Sequence, residues 1–322
     1  MIRLKFTHTP LFRTEQRILD ILQEKFPIEI TDESPDYVIG SVFTPFEQLR
    51  YKNSVKILFT GENITPDFNV YDYAIGFDHI QFGDRYLRLP LYCLYPEFDL
   101  IEKFNPANLD LSQLAQRKFC SFVVSNGNGA DPIRTEFFHE LCKYKKVDSA
   151  GRYLNNMGGG YLEDKIKFIT NYKFNIAFEN SAISGYTTEK VMEPMKVNSI
   201  PIYWGNPSVD KDFNTKSIIC LQDFSSIKEC IEYIIELDNN DNLYTSKLCE
   251  PWLNAESNYI DYKERLWNFF ENIFSKPLDK ARYISDYGYQ PYYREELTKY
   301  RHMGKYIDKA YKIKNIIKRI KK

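Results

Sequence analysis

The stretch KFNIAFENSAISGYTTEKVMEPMKVNSIPIYWG, residues 173–205, decides the fold of this chain. It begins with an apolar run at 174–178 and ends with a second apolar run at 200–204, and a polar loop and about one short helix of sequence separate them. Runs this apolar predict parallel strands that are buried on both faces and joined by a right-handed helical crossover. The loop at 180–186 then lies at the carboxyl end of the first strand, where open α/β sheets bind their ligands.

The predicted helix start in this stretch carries a cation where the helix dipole is already positive. Thr187 or Thr188 is the predicted N-cap. Glu189 in the first turn suits the dipole, but Lys190 beside it does not. A phosphate held by helix N–H groups and the lysine ammonium resolves this conflict. A lysine that points into water is the alternative, and the spacing alone leaves both open.

Seven motifs of this chain resemble those of one enzyme family. FNIAFENS, GYTTEK and IPIYWG are similar to the donor-binding signature of the α1,3/α1,4-fucosyltransferases, which are inverting enzymes of GT-B fold that use GDP-fucose. The likeness continues in TGEN at 60–63, DYAIGFD at 72–78, FVVSN at 122–126 and PIRTEFFHEL at 132–141. The resemblance implies an α/β fold of GT-B architecture, in which two Rossmann-like, doubly wound domains face a cleft.

Alternating strand and helix patterns along the chain support this architecture. Apolar runs at 2–6, 37–43 and 55–59, with an amphipathic helix at 14–26, predict a first doubly wound domain. A stretch at 96–116 that alternates proline, asparagine and charge predicts the linker. A helix at 256–274 is predicted to pack back across the domain junction. We therefore predict an acceptor-binding domain, a GDP-fucose-binding domain and a C-terminal extension, at 1–105, 106–275 and 276–322.

The resemblance implies roles for individual residues. Glu62 matches the carboxylate proposed as the general base, although from the residues alone an exposed Glu beside a glycine turn is the commoner structure. Arg134 and Lys190 match the diphosphate-binding positions, and both lie at predicted helix N-termini facing one sheet edge, where they would converge on one anion. The further donor-binding matches are Glu189 for the donor hydroxyls, Tyr186 and Asn180 in the loop around phosphates and sugar, and Ser125 and Asn126.

Fucosyl transfer with inversion needs an acceptor base, in-line approach and stabilisation of the departing diphosphate. The two cations and two helix N-termini could stabilise the diphosphate as a divalent metal does elsewhere, so we expect GDP-fucose as donor substrate and no required metal or cofactor. The triplet Asp210-Lys211-Asp212 has the form of the DxD motif of GT-A enzymes, but it follows Pro207 in a loop, and we do not assign it a metal. The glycines of NNMGGG at 155–160 could line the cleft, although a simple turn is the favoured interpretation.

The sequence identifies the acceptor substrate less closely than it identifies the donor. The default implied by the family is a hydroxyl, O3 by preference, of N-acetylglucosamine in a glycan of the N-acetyllactosamine type. A GT-B transferase that uses another nucleotide sugar is one alternative, and an inactive, membrane-associated binding homologue is another. The presence of Glu62, Arg134 and Lys190 together argues against the inactive homologue.

Charge is distributed unevenly between the body and the C-terminus. Residues 299–322 hold ten Lys or Arg and one Asp, a local charge of +9, so with a net charge of −1 the rest of the chain carries −10 and should not attract nucleic acid. An apolar stripe at helical spacing predicts a basic amphipathic helix here: Tyr306, Ala310, Ile313, Ile317 and Ile320. This helix either docks on the acidic body or lies on an anionic membrane, where it would bring the enzyme to lipid-linked glycan acceptors.

Cysteine usage and the N-terminus bear on the compartment. The six cysteines include no CxxC pair, which favours reduced, buried thiols. The N-terminus MIRLKFTHTP resembles neither a signal peptide nor a membrane span, whereas animal members of the resembled family have an N-terminal membrane anchor. We therefore expect a bacterial, cytoplasmic protein that is peripheral on the inner face of the membrane.

Overall fold

Two sheets of parallel strands organise the chain. The computed structural model describes residues 1–96, 98, 104–159, 162–254, 261–300, 303–304 and 306–307. The first sheet contains six strands, which are β1 (Ile2–Phe6), β2 (Ile28–Ile30), β3 (Tyr37–Ser41), β4 (Val55–Phe59), β5 (Tyr73–Gly76) and β6 (Tyr86–Arg88). Their order is β2-β1-β3-β4-β5-β6, and all pair in parallel.

The second sheet repeats this arrangement with five strands. They are β7 (Lys118–Phe122), β8 (Val147–Ser149), β9 (Tyr172–Phe178), β10 (Ile200–Trp204) and β11 (Ile219–Cys220). Their order is β11-β10-β9-β7-β8, again all parallel. The strand order therefore reverses between β1 and β3 in one sheet and between β7 and β9 in the other. Such switch points open crevices at the carboxyl ends of the strands.

Helices cover both sheets. They are α1 (Arg13–Lys25), α2 (Leu111–Ala115), α3 (Ile133–Tyr144), α4 (Lys165–Ile169), α5 (Met192–Lys196), α6 (Ile227–Asn239), α7 (Asp241–Leu248), α8 (Tyr262–Phe274) and α9 (Leu278–Ala281). Residues 290–300 are also helical. Strand β9 is buried along its whole length, as the apolar run at 174–178 predicts for a strand covered on both faces.

Helix α8 returns to the first sheet, as the sequence predicted, although it lies within the range 106–275. Leu266 and Phe270 are fully buried in the core of the first sheet. The Trp267 indole donates a hydrogen bond of 2.7 Å to the Ile21 carbonyl on α1. A second contact joins the two halves on the other side, because both terminal nitrogens of Arg88 donate to the buried carboxylate of Asp212, at 3.0 and 2.8 Å.

Four predicted elements are shorter in the structure, the first being the strand predicted at 37–43, which ends at Ser41. The helix after GYTTEK does not start at Thr187 or Thr188, but comprises only Met192–Lys196. The predicted N-cap at Thr188 is wrong because this side chain instead bonds a buried carboxylate, which is described below. Pro194, expected to kink a longer helix, lies in the first turn, where its missing N–H breaks no bond. The predicted strand at 147–153 ends at Ser149, and the helix predicted at 162–172 is Lys165–Ile169.

The cysteine prediction is largely confirmed. All six cysteines are free, and four are buried, whereas Cys142 and Cys249 are half-buried. Within the described part of the chain, no helix combines the length and the apolar character that crossing a bilayer requires. The predicted C-terminal amphipathic helix lies almost entirely outside the described residues. Tyr306 of its apolar stripe and the neighbouring Ile307 are described, and both are exposed.

Candidate active site

A cavity of about 360 Å³ opens at the switch point of the second sheet. Its walls are the loops that follow β7, β8 and β9, together with the chain around α4 and the residues that precede α5. Six of the seven predicted donor-binding residues line it: Ser125, Asn126, Arg134, Asn180, Glu189 and Lys190. Tyr186 is not among the lining residues. The tertiary structure thus brings residues from 125 to 190 together at one sheet edge.

Arg134 forms a rigid part of the cavity wall. It lies in the first turn of α3 and is 1% exposed. Its Nη2 donates to the Phe178 carbonyl at 2.9 Å and to Asn180 Oδ1 at 2.8 Å, whereas its buried Nε has no partner among the described residues. Burial lowers the pKa of Arg134, and the nearby Glu179 carboxylate opposes that shift. Asn180 therefore orients a guanidinium that retains hydrogen-bonding capacity for an anion.

Lys190 is held by a carboxylate and does not simply point into water. Glu179, which follows β9 directly, is fully buried, and its carboxylate accepts from Lys190 Nζ at 3.1 Å. The same carboxylate accepts from the Thr188 N–H at 2.7 Å and the Thr188 hydroxyl at 2.8 Å. Burial acts to lower the pKa of Lys190, but the attraction of Glu179 and then Glu189 outweighs it, and the pKa is raised overall. The neighbouring carboxylates therefore favour the charged ammonium form of Lys190 in this cavity.

The helix dipole contributes less at Lys190 than the sequence suggested. Helix α5 has five residues and begins after Lys190, so Lys190 does not lie in its first turn. A helix this short has few aligned peptide dipoles. The positive potential on this side of the cavity comes from the ammonium itself. Of the two helix N-termini that the sequence predicted here, that of α3, which has 12 residues, lies at the cavity with Arg134 in its first turn, whereas α5 is too short and begins too late to place Lys190 in its first turn.

A second cavity, of about 340 Å³, lies at the switch point of the first sheet, and Glu62 lines it. Glu62 follows β4 in a tight turn, in which its N–H donates to Thr60 Oγ1 at 3.1 Å. Its carboxylate forms no hydrogen bond or ion pair with any described residue, so its lone pairs are available. The rings of Phe12, Phe43 and Tyr95 line the same cavity.

Two contacts join the loops that carry these cavities. Asn63, next to Glu62, donates from Nδ2 to Ser181 Oγ at 2.8 Å, and Ser181 follows Asn180 of the first cavity. Tyr186 is buried with its ring edge against Phe77, at 5.2 Å between ring centroids. Burial raises the pKa of Tyr186, and the carboxylates of Glu179 and Glu62 both add to the rise. The Tyr186 hydroxyl therefore lies within electrostatic reach of a carboxylate from each half of the chain.

Comparison with known proteins identifies the family. The model described as the alpha-(1,3)-fucosyltransferase FucT N-terminal domain matches residues 4–95, and that of glycosyltransferase family 10 (fucosyltransferase) C-term matches residues 114–255. A solved structure of an alpha1,3-fucosyltransferase with GDP-fucose has a TM-score of 0.72 and 32% identity, over 85% of this chain and 90% of that one. The chain belongs to the family 10 fucosyltransferases.

Family 10 membership confirms the resemblance stated from the motifs, and with it the two-domain GT-B architecture. The alpha-(1,3)-fucosyltransferase FucT of Helicobacter pylori is 37% identical over 294 residues, which cover 80% of this chain and 59% of that protein. GDP-fucose protein O-fucosyltransferase 3 of Homo sapiens is 30% identical over 215 residues, or 62% of this chain and 42% of that protein. This family 10 member therefore spans about half the length of these curated relatives.

Glu179 is the main residue of this family 10 site that the sequence did not assign. The signal was present, because a carboxylate directly after a buried seven-residue strand needs a cation, and Lys190 follows in the same motif. Gly205 provides the space: a Cβ at this position would lie 2.5 Å from Glu179 Cγ. Arg152 and Lys165 also line the first cavity and were not predicted, and Lys165 pairs with the half-buried Glu193.

Two other sequence features lie apart from the cavity. Asp212, of the triplet Asp210-Lys211-Asp212, is occupied by Arg88. Across the part of the chain that the structure describes, no three His, Cys, Asp or Glu side chains are grouped so that they could hold a metal ion. Gly158 and Gly159 do not line the cavity, and Gly160 lies outside the described residues.

Proposed function

We propose that this chain transfers L-fucose from GDP-β-L-fucose to a sugar hydroxyl with inversion at the anomeric carbon. One observation carries the proposal: a hydrogen bond from Asn63 to Ser181 joins the loop of Glu62 to the loop after β9. Asn180, in that second loop, accepts a hydrogen bond from Arg134. An unpaired carboxylate thus lies next to a cavity that holds fixed cations. This is the combination that proton abstraction together with loss of a diphosphate requires.

In this proposal, residues 106–275 contain the donor-binding part of the chain. Lys190 and Arg134 bind the diphosphate and stabilise it as it departs, through charge-assisted hydrogen bonds of about 1.5–3 kcal/mol each. Glu189 accepts from donor hydroxyls, while Asn180, Ser125 and Asn126 line the wall. Because these side chains neutralise the leaving group, we propose no metal cofactor. The solved alpha1,3-fucosyltransferase with GDP-fucose supports the choice of donor.

Residues 1–105 would bind the acceptor, with Glu62 taking its hydroxyl proton. The second cavity suits a sugar, because Phe12 and Phe43 line it, are 41% and 56% exposed, and provide aromatic surface for the apolar face of a pyranose. We propose O3 of N-acetylglucosamine in a lactosamine-type glycan as the acceptor. The name of the Helicobacter pylori relative supports this linkage.

The test is turnover of GDP-fucose, GDP-mannose and UDP-galactose with N-acetyllactosamine, for the wild type and Glu62→Gln. We expect product from GDP-fucose alone, and in Glu62→Gln a loss of about 10² to 10⁴ in turnover with unchanged affinity for GDP, because only the base is removed. Glu29→Gln on the exposed β2 is the matched control and should have wild-type turnover. Near-normal turnover of Glu62→Gln would contradict the base assignment. Product from another donor, or GDP binding without product, would favour the alternative functions.

We further propose that residues 299–322 hold the enzyme on the inner face of an anionic membrane, close to lipid-linked acceptors. The local charge of +9 supports this, as do the exposed side chains of Tyr300, Met303, Tyr306 and Ile307. At about 1 kcal/mol per basic residue, changing Lys318, Arg319, Lys321 and Lys322 to Gln should weaken binding to phosphatidylglycerol vesicles by roughly a hundredfold or more. Co-sedimentation at low salt measures this. Equal binding of both proteins would leave the body, and not the tail, as the membrane contact.

A further inference from the structure

A third cavity, of about 530 Å³, lies at the opposite edge of the first sheet from Glu62. Lys56 lines it and is the second residue of β4, whereas Glu62 follows the carboxyl end of the same strand. The segment that leads from α9 into the helical residues 290–300 forms the other wall, with Arg282 and Arg294. The catalytic proposal uses none of these residues.

Three of the four cations that line this cavity are incompletely bonded: Lys56 is buried, and Arg282 and Arg294 are half-buried. Lys56 is 3% exposed, and its Nζ donates only to backbone carbonyls, at 2.9 Å to Ser54 and 3.4 Å to Lys52. Lys56 forms no ion pair with any described carboxylate. Arg282 Nε and Arg294 Nη1 are both buried without a hydrogen-bond partner among the described residues. Buried donors of this kind are costly unless a ligand or water bonds to them.

Nearby carboxylates do not neutralise the cluster. Asp286 accepts from Arg282 at 2.8 Å and lies 3.8 Å from Arg294, so one carboxylate serves two guanidinium groups. The carboxylate of Asp72 bonds to backbone N–H groups, including that of Lys56 at 2.8 Å. Glu295 pairs with Lys299 on the surface, at 3.0 Å.

The cations also act on one another. Burial lowers the pKa of Lys56 to about 8, and repulsion from Arg282 and Arg294 contributes to this shift, while Asp72 and Asp286 oppose it. An anion placed between the three groups would remove this repulsion. The cavity has room for such a group, and its arginines can donate in the forked geometry that matches phosphate oxygens.

We infer that Lys56, Arg282 and Arg294 form a binding site for a phosphate-type oxyanion. The anion is either inorganic phosphate or the phosphate of an anionic phospholipid headgroup, which share this chemistry. The second source has a structural basis, because the helical residues 290–300 that carry Arg294 continue towards the basic residues 299–322.

Isothermal titration of the full chain with inorganic phosphate tests the site, with saturating GDP present so that the donor cavity is filled. We expect saturable binding to the wild type, weakened about tenfold or more in Arg294→Gln and in Arg282→Gln. Lys228→Gln on the exposed face of α6 is the matched control and should bind as the wild type does. Arg282→Lys keeps the charge but loses the forked donor geometry, so its affinity for phosphate should lie between those of the wild type and Arg282→Gln. This variant still tests the site if the glutamine variants fail to fold. Fucosyl transfer should be unchanged in all four variants.

Vesicle co-sedimentation separates the two sources. If Arg294→Gln weakens binding to phosphatidylglycerol but not to phosphatidylcholine vesicles, and phosphate competes, the ligand is the headgroup. If Arg294→Gln loses phosphate binding and leaves vesicle binding unchanged, the ligand is free phosphate. The inference is overturned if the GDP-loaded wild type shows no saturable phosphate binding and vesicle binding does not depend on Arg282 or Arg294.

Discussion

The ion pair between Glu179 and Lys190 makes a prediction in which stability and ligand binding respond differently. Lys190→Met leaves the fully buried Glu179 with the Thr188 bonds alone, and Glu179→Gln leaves Lys190 with only Glu189, 3.9 Å away, as an acidic partner. The double variant contains neither charge, and the amide oxygen introduced by Glu179→Gln can still accept from the Thr188 N–H. We therefore expect the double variant to recover stability but not affinity for GDP.

The expected magnitudes follow from burial. Removing one member of a buried ion pair costs about 3–5 kcal/mol. Lys190→Met leaves the fully buried Glu179 unpaired and should cost about 3 kcal/mol, and Glu179→Gln should cost less, about 2 kcal/mol, because the Lys190 side chain is 20% exposed and water can reach it. The double variant should lose only about 1–2 kcal/mol, which gives a coupling energy of about 3–4 kcal/mol. Loss of the ammonium should weaken GDP binding by roughly 10- to 150-fold in both proteins that lack it.

Urea unfolding of the four proteins measures the coupling, and isothermal titration with GDP measures the affinity. The exposed pair Lys143 and Glu140 on α3 is the matched control, and its Met and Gln variants should couple by less than about 0.5 kcal/mol. The reasoning is refuted if the stability losses of the two single variants simply add. It is also refuted if Lys190→Met binds GDP as tightly as the wild type.

Two further predictions concern buried charges elsewhere. Arg88→Met leaves Asp212 buried without its guanidinium partner, so urea unfolding should show that the free energy of unfolding falls by about 3–5 kcal/mol. The control is Arg3→Met at the exposed pair with Asp36, which should lower it by less than about 1 kcal/mol. Similar losses in the two variants would contradict the prediction. The pKa of Lys56 is lowered from 10.5 to about 8 on folding, so the unfolded chain binds more protons between these values. Wild-type stability relative to Lys56→Met should therefore rise by about 3 kcal/mol from pH 8 to 10.5, and a difference that does not change with pH would contradict the lowered pKa of Lys56.

Local pattern was sufficient for the central strands and for much of the site. The runs at 55–59 and 174–178 are apolar at nearly every position, because a strand covered on both faces has no side that water can reach. Parallel pairing then places the loops after the strands at one edge, and that is why Arg134, Asn180 and Lys190 could be grouped before the structure was known.

Tertiary structure alone decided which charges meet. Thr188 bonds to Glu179 and does not cap the helix that the sequence predicted to start there. Hydrogen bonds to a buried carboxylate stabilise the fold more than a cap stabilises a short helix. Lys56 meets Arg282 and Arg294 although they lie far apart along the chain. Hydrophobic periodicity is a local property that the sequence by itself determines. Ion pairing depends on distance through space, and only the packed chain sets that distance.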